Sequence, residues 1–186
     1  MRDVLIETAN LQLRDFKQTD WKEVHKYSVD PEVVKYMEWG PNTTEQTLAF
    51  IDRVLLAQRA NPRTIFEFAV IHREEERLIG ACGIRVAQFD PRQADLGYCF
   101  NRSYWGLGFG SEAAQALIDF GFDKLKLHRA WATCDAENVG SARVLRKCGM
   151  RQEGHFIKDK NIKGHWRDTL LFAMLREEWD ARRKSP

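Results

Sequence analysis

The sequence predicts an α/β (α+β) fold in which helices flank a mixed, mostly antiparallel sheet of about seven strands. Three observations support this. Between Arg63 and Phe100 the chain has three strand-like runs joined by short turns, with no helix-length segment between them, which is typical of an antiparallel meander. A glycine-rich loop then leads into a helix of small residues. A strand at His128 to Asp135 and a second helix follow.

The first elements follow from residue alternation and from helix start and stop signals. Leu11 to Phe16 alternates apolar and polar residues, which predicts a half-buried strand. Asp20 to Ser28 is predicted to be a helix that ends near Pro31, because the residue before a proline avoids the α region. Thr43 and Gln46 have the spacing of a capping box at the start of another helix.

The remaining elements follow from the same signals. They are a helical turn at Glu32 to Met37, the capped helix to about Ala60, strands at Thr64 to His72, Arg77 to Gln88 and Gln93 to Phe100, a helix to about Phe122, the strand at His128 to Asp135, a helix at Asn138 to Cys148, and strands at Arg151 to Lys160 and His165 to Leu175. The basic tail Arg182 to Lys184 is expected to be solvated.

Length and composition favour one domain, residues 1–186, because a chain of this size forms a single core. With 29 basic against 27 acidic residues, the net charge of +2 gives no case for a nucleic-acid surface. No apolar run approaches the roughly 18 residues that span a bilayer, and the N-terminus lacks a signal-peptide core. We therefore expect a cytoplasmic monomer or homodimer without a nucleic-acid or membrane partner.

The cysteines and histidines have no metal or disulfide spacing. Cys82, Cys99, Cys134 and Cys148 are widely spaced in or beside apolar patterns, and no CxxC pair is present, so buried free thiols are expected. A covalent nucleophile at Cys99 is the alternative, although no histidine partner for it is visible in the sequence. The five histidines lack HxxxH and HExxH spacing, so no metal site is expected.

The segment Tyr104 to Ala114 carries three glycines at alternate positions directly before a helix. Glycine lets the backbone approach an anion, and the first unpaired N–H groups of a helix point at that anion. A pyrophosphate-containing cofactor is therefore expected here. Gly108 to Ala113 also fits the loose dinucleotide pattern GxGxxA, which leaves a nucleotide-dependent oxidoreductase as another interpretation. The preceding meander argues against it, since that fingerprint belongs to a repeating strand and helix series.

Two motifs resemble the acetyl-CoA-dependent N-acetyltransferases of the GNAT superfamily. The family's cofactor motif, Gln or Arg followed by xxGxG/A, falls on Trp105 to Gly110, and only its first position departs, because Trp105 stands there. A later family pattern matches Asn138, Ser141, Lys147, Gly149 and Met150. Ala94 to Tyr98 and Lys163 to Asp168 are most similar to the branch of the ribosomal-protein N-terminal (alanine or serine) acetyltransferases.

The resemblance implies the GNAT fold, acetyl-CoA as the cofactor and a set of binding residues. In that fold a central parallel pair of strands, here those that end at Phe100 and Asp135, splays apart around the pantetheine arm. A backbone N–H of the first of these strands would polarise the thioester carbonyl. The implied cofactor-binding residues are Tyr98, Cys99, Phe100, Leu107, Gly108, Phe109, Gly110, Ser111, Asn138, Ser141 and Arg143.

Three residues are candidates for catalysis. Ser141 is the candidate proton donor to the leaving thiolate, because the tyrosine that many family members place four residues later is Leu145 here. Asn138 could orient the pantetheine arm or a water molecule, or it could cap the following helix. Asp95 is the acidic residue nearest the cofactor strand in sequence and is the candidate general base.

The expected acceptor is a primary amine, with an N-terminal α-amine of a protein or peptide preferred. An α-amine, with a pKa of about 8, is uncharged far more often at neutral pH than lysine, with a pKa of about 10.4. Trp39 and Trp166 are the candidate acceptor-site residues, and Asp168 is expected there or in an internal pair. The alternatives are an acetyltransferase for a small-molecule amine (antibiotic, polyamine or metabolite) and a non-catalytic acyl-CoA-binding sensor.

Overall fold

The computed structural model describes residues 4–184, and within them the chain forms eight strands and five helices. The strands are β1 (Leu5–Glu7), β2 (Leu11–Asp15), β3 (Ile65–His72), β4 (Arg77–Val86), β5 (Gln93–Phe100), β6 (Arg129–Asp135), β7 (Arg151–Ile162) and β8 (His165–Leu175). The helices are α1 (Trp21–Ser28), α2 (Thr44–Gln58), α3 (Phe109–Asp123), α4 (Val139–Lys147) and α5 (Arg176–Lys184).

The strands have the order β1-β2-β3-β4-β5-β6-β8-β7. The β5 and β6 strands pair in parallel, with Gln93–Asp95 opposite Arg129–Trp131, whereas β1 with β2, β2 with β3, β6 with β8 and β7 with β8 pair antiparallel. The predicted α/β fold with a mostly antiparallel mixed sheet is confirmed. The described residues form eight strands rather than about seven because Leu5–Glu7, too short to show an alternating pattern, adds an edge strand beside β2.

The chain divides into two compact units. The first comprises the chain up to Gly83 together with Tyr98–Ala113, and the second comprises Ile84–Gly97 together with the chain from Ala114 onward. The β4, β5 and α3 elements therefore contribute residues to both units. Each unit has its own packing and its own polar contacts.

In the first unit, α1 and α2 cover a layer of buried side chains on the sheet. This layer consists of Phe16, Val24, Tyr27, Val33, Val34, Ile51, Val54, Ala69, Leu78 and Ala81. The predicted capping box is confirmed, since the Gln46 N–H donates to Thr43 Oγ1 and the Thr43 N–H donates to Gln46 Oε1. The segment Glu32 to Met37, expected to be a helical turn, forms consecutive turns, and the bond from the Val34 N–H to the Asp30 carbonyl oxygen closes one helical turn there.

The second unit contains α5, a helix that sequence reasoning missed. Its one buried residue is Trp179, whose indole N–H donates to Asp119 Oδ1 over 2.7 Å and whose ring lies 5.4 Å from that of Phe122. The basic residues Arg182, Arg183 and Lys184 are exposed as expected, but they form the last turn of this helix. Positive charge there is favourable, since the C-terminal end of a helix dipole is negative.

All four cysteines are free thiols, as predicted. Cys82, Cys134 and Cys148 are buried, and Cys99 is half-buried. Burial raises the pKa of Cys99 to about 12 and that of Cys148 to about 11, so both thiols stay protonated at neutral pH. None of the described helices combines the length and the apolar character needed to span a membrane.

Replacement of Gly80 by alanine is expected to destabilise the first unit, because the new Cβ would lie 2.4 Å from the Cys99 carbonyl oxygen and 2.8 Å from the Phe100 ring. Overpacking of this kind costs about 1–3 kcal/mol. The measurement is the free energy of unfolding from urea titration. Gly97→Ala on β5 is the matched control, since its Cβ would meet only the Arg85 guanidinium, at an ordinary contact distance of 3.4 Å. Equal stability of the two variants would contradict the close approach at Gly80.

Candidate active site

The glycine loop, Trp105–Gly108, connects a short helical turn to the start of α3 in the first unit. Gly106 and Gly108 have φ angles of 77° and 93°, in the left-handed region that favours glycine. A Cβ built on either residue would have no atom within 4 Å. All four loop residues are exposed, and Phe109, the first residue of α3, is buried. The loop therefore presents its backbone to open space at a helix start.

Four consecutive backbone N–H groups at this point have no hydrogen-bond partner within residues 4–184. They belong to Leu107, Gly108, Phe109 and Gly110. The N–H groups of Ser111 and Glu112, in contrast, both donate to the Gly108 carbonyl oxygen, over 3.0 and 3.1 Å. Unpaired donors at the positive end of a helix dipole form an anion site. Of the implied cofactor-binding residues in this segment, residues 107–110 have unpaired N–H groups, whereas the Ser111 N–H is already engaged.

Trp105, which replaces the Gln or Arg of the family motif, ties the loop to the end of β5. Its indole N–H donates to the Phe100 carbonyl oxygen over 2.9 Å. Phe100 is buried, and Tyr98 and Cys99 before it are half-buried. The predicted cofactor residues 98–100 and 107–111 thus lie in the same unit, the first, where Trp105 bonds the loop to the end of β5. Cys99 has a raised pKa, which argues against the alternative of a thiolate nucleophile there.

In the second unit, a buried carboxylate shapes the turn between β6 and α4. The Asp135 side chain is 1% exposed, and it accepts two hydrogen bonds from the Arg167 guanidinium, at 2.7 and 3.0 Å, and one from the Glu137 N–H. Arg167 also pairs with Glu137 at 2.8 Å, and the two carboxylates raise the pKa of Arg167. Sequence reasoning missed this pair, whose only signal is an acidic residue at the end of a strand.

Asn138 follows that turn and caps α4. Its Oδ1 accepts the Ser141 N–H over 3.0 Å, so the capping interpretation is confirmed. The Nδ2 group has no partner within residues 4–184 and can still donate to a ligand. The Ser141 side chain hydrogen bonds the Cys134 thiol, a contact not foreseen from the sequence. Burial raises the pKa of Cys134, and this hydrogen bond opposes the increase.

Two further positions on α4, the candidate Arg143 and the replaced tyrosine position 145, differ in exposure. Arg143 is exposed and makes no polar contact with the described residues, so its guanidinium is available to an anion. Leu145, which stands where many family members have tyrosine, is 1% exposed and belongs to the core. Position 145 therefore supplies no proton donor.

Asp95, the candidate general base, forms an ion pair with Arg85 on β4. Its Oδ2 accepts from Arg85 Nη2 at 2.6 Å and from Nε at 3.0 Å. The carboxylate is half-buried, and its Oδ1 has no partner among the described residues. Arg85 therefore engages one carboxylate oxygen and leaves the other without a hydrogen bond in the described chain.

The candidate acceptor-site residues lie in different units. Trp39 is 40% exposed in the loop before α2, in the first unit, and Trp166 is 61% exposed at the start of β8, in the second. Asp168 was expected either at the acceptor site or in an internal pair, and it forms an internal pair. It accepts from His155 Nε2 at 2.8 Å and from the Lys158 N–H at 2.9 Å, and these contacts lower its pKa.

Comparison with known proteins identifies the family. The family profile described as the acetyltransferase (GNAT) domain matches residues 10–151. An uncharacterised N-acetyltransferase of Bacillus subtilis, YnaD, is 38% identical over 175 residues, which is 94% of this chain and 99% of the relative. The crystal structure of a GNAT-family acetyltransferase from Bacillus anthracis is 36% identical, with a TM-score of 0.84, over 94% of this chain and all of that one.

Two relatives with named acceptors differ in the acceptor. The ribosomal-protein-S5-alanine acetyltransferase of Vibrio fischeri is 26% identical, with a TM-score of 0.78, over 95% of this chain and 99% of that chain. The spermidine N(1)-acetyltransferase of Escherichia coli is 21% identical over 185 residues, which is 95% of this chain and 92% of the relative. The chain belongs to the GNAT acetyltransferase domain family and is an N-acetyltransferase.

Proposed function

We propose that this N-acetyltransferase takes its acetyl group from acetyl-CoA and transfers it directly to a primary amine, and that residues 1–186 form one such domain. The observation that carries the proposal is the row of four unpaired N–H groups at residues 107–110. They suit a pyrophosphate, and the open space beside Gly106 and Gly108 gives it access to the backbone. A side chain at either glycine would occupy that space.

Each unit contributes residues to this proposal. In the first, the backbone of Tyr98, Cys99 and Phe100 would bind the pantetheine arm, and Leu107, Gly108, Phe109 and Gly110 would bind the pyrophosphate, with Ser111 beside them. In the second, the Nδ2 group of Asn138 would donate to the arm or to a water molecule. The exposed guanidinium of Arg143 would pair with a phosphate.

Acetyl-CoA supplies the acetyl group and a thiolate leaving group. The Ser141 hydroxyl would donate a proton to that thiolate, since Leu145 is buried and cannot. Asp95 would accept the proton that the amine loses, through its unpaired Oδ1, while Arg85 holds the other oxygen. Each turnover moves one proton from the amine to Asp95 and one from Ser141 to the sulfur, and return of a proton from Asp95 to Ser141 through solvent would restore both residues.

The proposed acceptor is the N-terminal α-amine of a protein or peptide, in the manner of the ribosomal-protein branch. Two points support this choice. The Vibrio fischeri relative acts on a ribosomal protein, and an α-amine needs less help to lose its proton than a lysine side chain does. A small amine is the second candidate, because the spermidine enzyme aligns with nearly the whole chain. Trp39 and Trp166 remain the proposed acceptor-site residues.

Calorimetric titration with acetyl-CoA and with NADH tests the cofactor first. Acetyl-CoA is expected to bind saturably, and NADH is expected not to bind. Turnover is then followed by thiol release with peptides that begin with alanine or serine and with spermidine, and the peptides are expected to be acetylated faster. Preference for spermidine would favour the second candidate, and binding without any turnover would favour the sensor. NADH binding without acetyl-CoA binding would contradict the proposed function.

Gly108→Ala is expected to weaken acetyl-CoA binding by at least tenfold, because the methyl group would occupy the space proposed for the pyrophosphate. Gly164→Ala is a matched control. Gly164, in the β7–β8 turn, has a similar φ of 85° and equally open surroundings, so both variants carry the same backbone strain. Calorimetry should show a loss of affinity for Gly108→Ala only. Equal affinity in the two variants would overturn the pyrophosphate assignment.

Ser141→Ala is expected to lower kcat by about a hundredfold, a typical contribution of a general acid, with little change in acetyl-CoA affinity. The variant also removes the hydrogen bond to Cys134, so Cys134→Ala is needed as the control that breaks this bond from the other side. Steady-state kinetics and calorimetry on both variants separate the two effects. An equal loss of kcat in Cys134→Ala would assign Ser141 a structural role.

A further inference from the structure

We propose that His72 is a positioning residue for the glycine loop, because its imidazole packs against the aromatic side chain at each end of that loop. The inference rests on the proposed function, in which the loop binds the pyrophosphate of acetyl-CoA. His72 is the last residue of β3 and lies far from the loop in sequence. It belongs to the same compact unit as the loop.

The loop is bracketed by two aromatic residues that both contact His72. Tyr104 precedes it, with a ring centroid 6.2 Å from that of His72. Phe109 follows it, with a centroid 5.0 Å from His72 in an edge-on arrangement at 62°. The rings of Tyr104 and Phe109 are themselves 6.3 Å apart. One imidazole therefore holds both ends of a segment whose four residues are all exposed.

The imidazole is itself held in place by the β3–β4 turn. The His72 side chain is 12% exposed, and its Nδ1 accepts the Glu75 N–H over 3.3 Å. The Glu75 carboxylate in turn accepts the Tyr104 hydroxyl over 2.5 Å. The turn thus fixes the ring orientation of His72 and also grips Tyr104 directly.

The helix that follows the loop has a separate attachment. Glu112, in the first turn of α3, accepts the Asn10 N–H over 2.7 Å and the Asn10 Nδ2 group over 3.0 Å. Removal of His72 would therefore loosen the loop, which Trp105 still bonds to Phe100, while Glu112 still holds the helix. The expected consequence is a mobile loop on an intact fold.

A mobile loop should bind a pyrophosphate more weakly than a fixed one. Each residue that is ordered only on binding loses conformational freedom at that moment, and this lowers the affinity. The loop is short, and its two glycines have especially broad conformational freedom when they are not held. Preorganisation by His72 removes part of this cost before the ligand arrives.

The test is calorimetric titration of the full chain with CoA and with pantetheine, which lacks the pyrophosphate. His72→Ala is expected to weaken CoA binding about tenfold and to leave pantetheine binding unchanged. His72→Phe, which keeps a ring between Tyr104 and Phe109, should restore CoA affinity to within about twofold of the wild type. Tyr104→Ala breaks the same contact from the loop side and should weaken CoA binding in the same way. It serves as the second variant if His72→Ala folds poorly.

Phe50→Ala is the control for general destabilisation. Phe50, on α2 in the same unit, packs edge-on against Phe16 at 5.7 Å, so the variant also deletes an aromatic contact. It should lower the melting temperature without changing CoA affinity. If the wild type binds CoA and both His72→Ala and Tyr104→Ala keep its affinity, the inference is overturned but the proposed function stands. An equal loss of affinity for CoA and for pantetheine would have the same meaning. Absence of CoA binding to the wild type would overturn the proposed function as well.

Discussion

The unpaired backbone amides at the start of α3 are the constraint on which the first unit depends. A helix leaves its first N–H groups without an internal acceptor, and those of residues 107–110 have no partner in the described chain. Positive φ angles at Gly106 and Gly108 leave this helix end open. The surrounding contacts hold it still, through the indole of Trp105 on the β5 end and the carboxylate of Glu112 on Asn10. An anion-binding end is useful only if its donors are already aligned.

The second unit meets a different constraint, the burial of Asp135. A buried carboxylate is costly unless it is paired and hydrogen bonded, and Arg167 and the Glu137 N–H satisfy it. These bonds also define the turn that leads to Asn138, which caps α4 and accepts the Ser141 N–H. The geometry of Asn138 and Ser141 thus depends on an ion pair that has no proposed part in the chemistry. Removal of Arg167 would leave the buried Asp135 carboxylate without its paired charge.

Local patterns predicted most of the fold, and their failures have physical causes. The β5 strand has the predicted limits Gln93–Phe100, and the Thr43 capping box begins α2, because alternation and capping are properties of neighbouring residues. The α5 helix was missed because its polar sequence has one buried anchor, Trp179, whose partners on α3 are remote in sequence.

The sequence by itself determined the GNAT resemblance, the glycine loop and the cap at Asn138, because glycine conformations and helix caps depend on residues close together in the chain. Only the tertiary structure decided which carboxylates are paired, with Asp95 on Arg85, Asp135 on Arg167 and Asp168 on His155. It also decided that His72 meets both ends of the glycine loop. These contacts join side chains on different elements. An ion pair or a ring contact between elements leaves no periodic signal in the sequence, since it forms only when the fold brings those elements together.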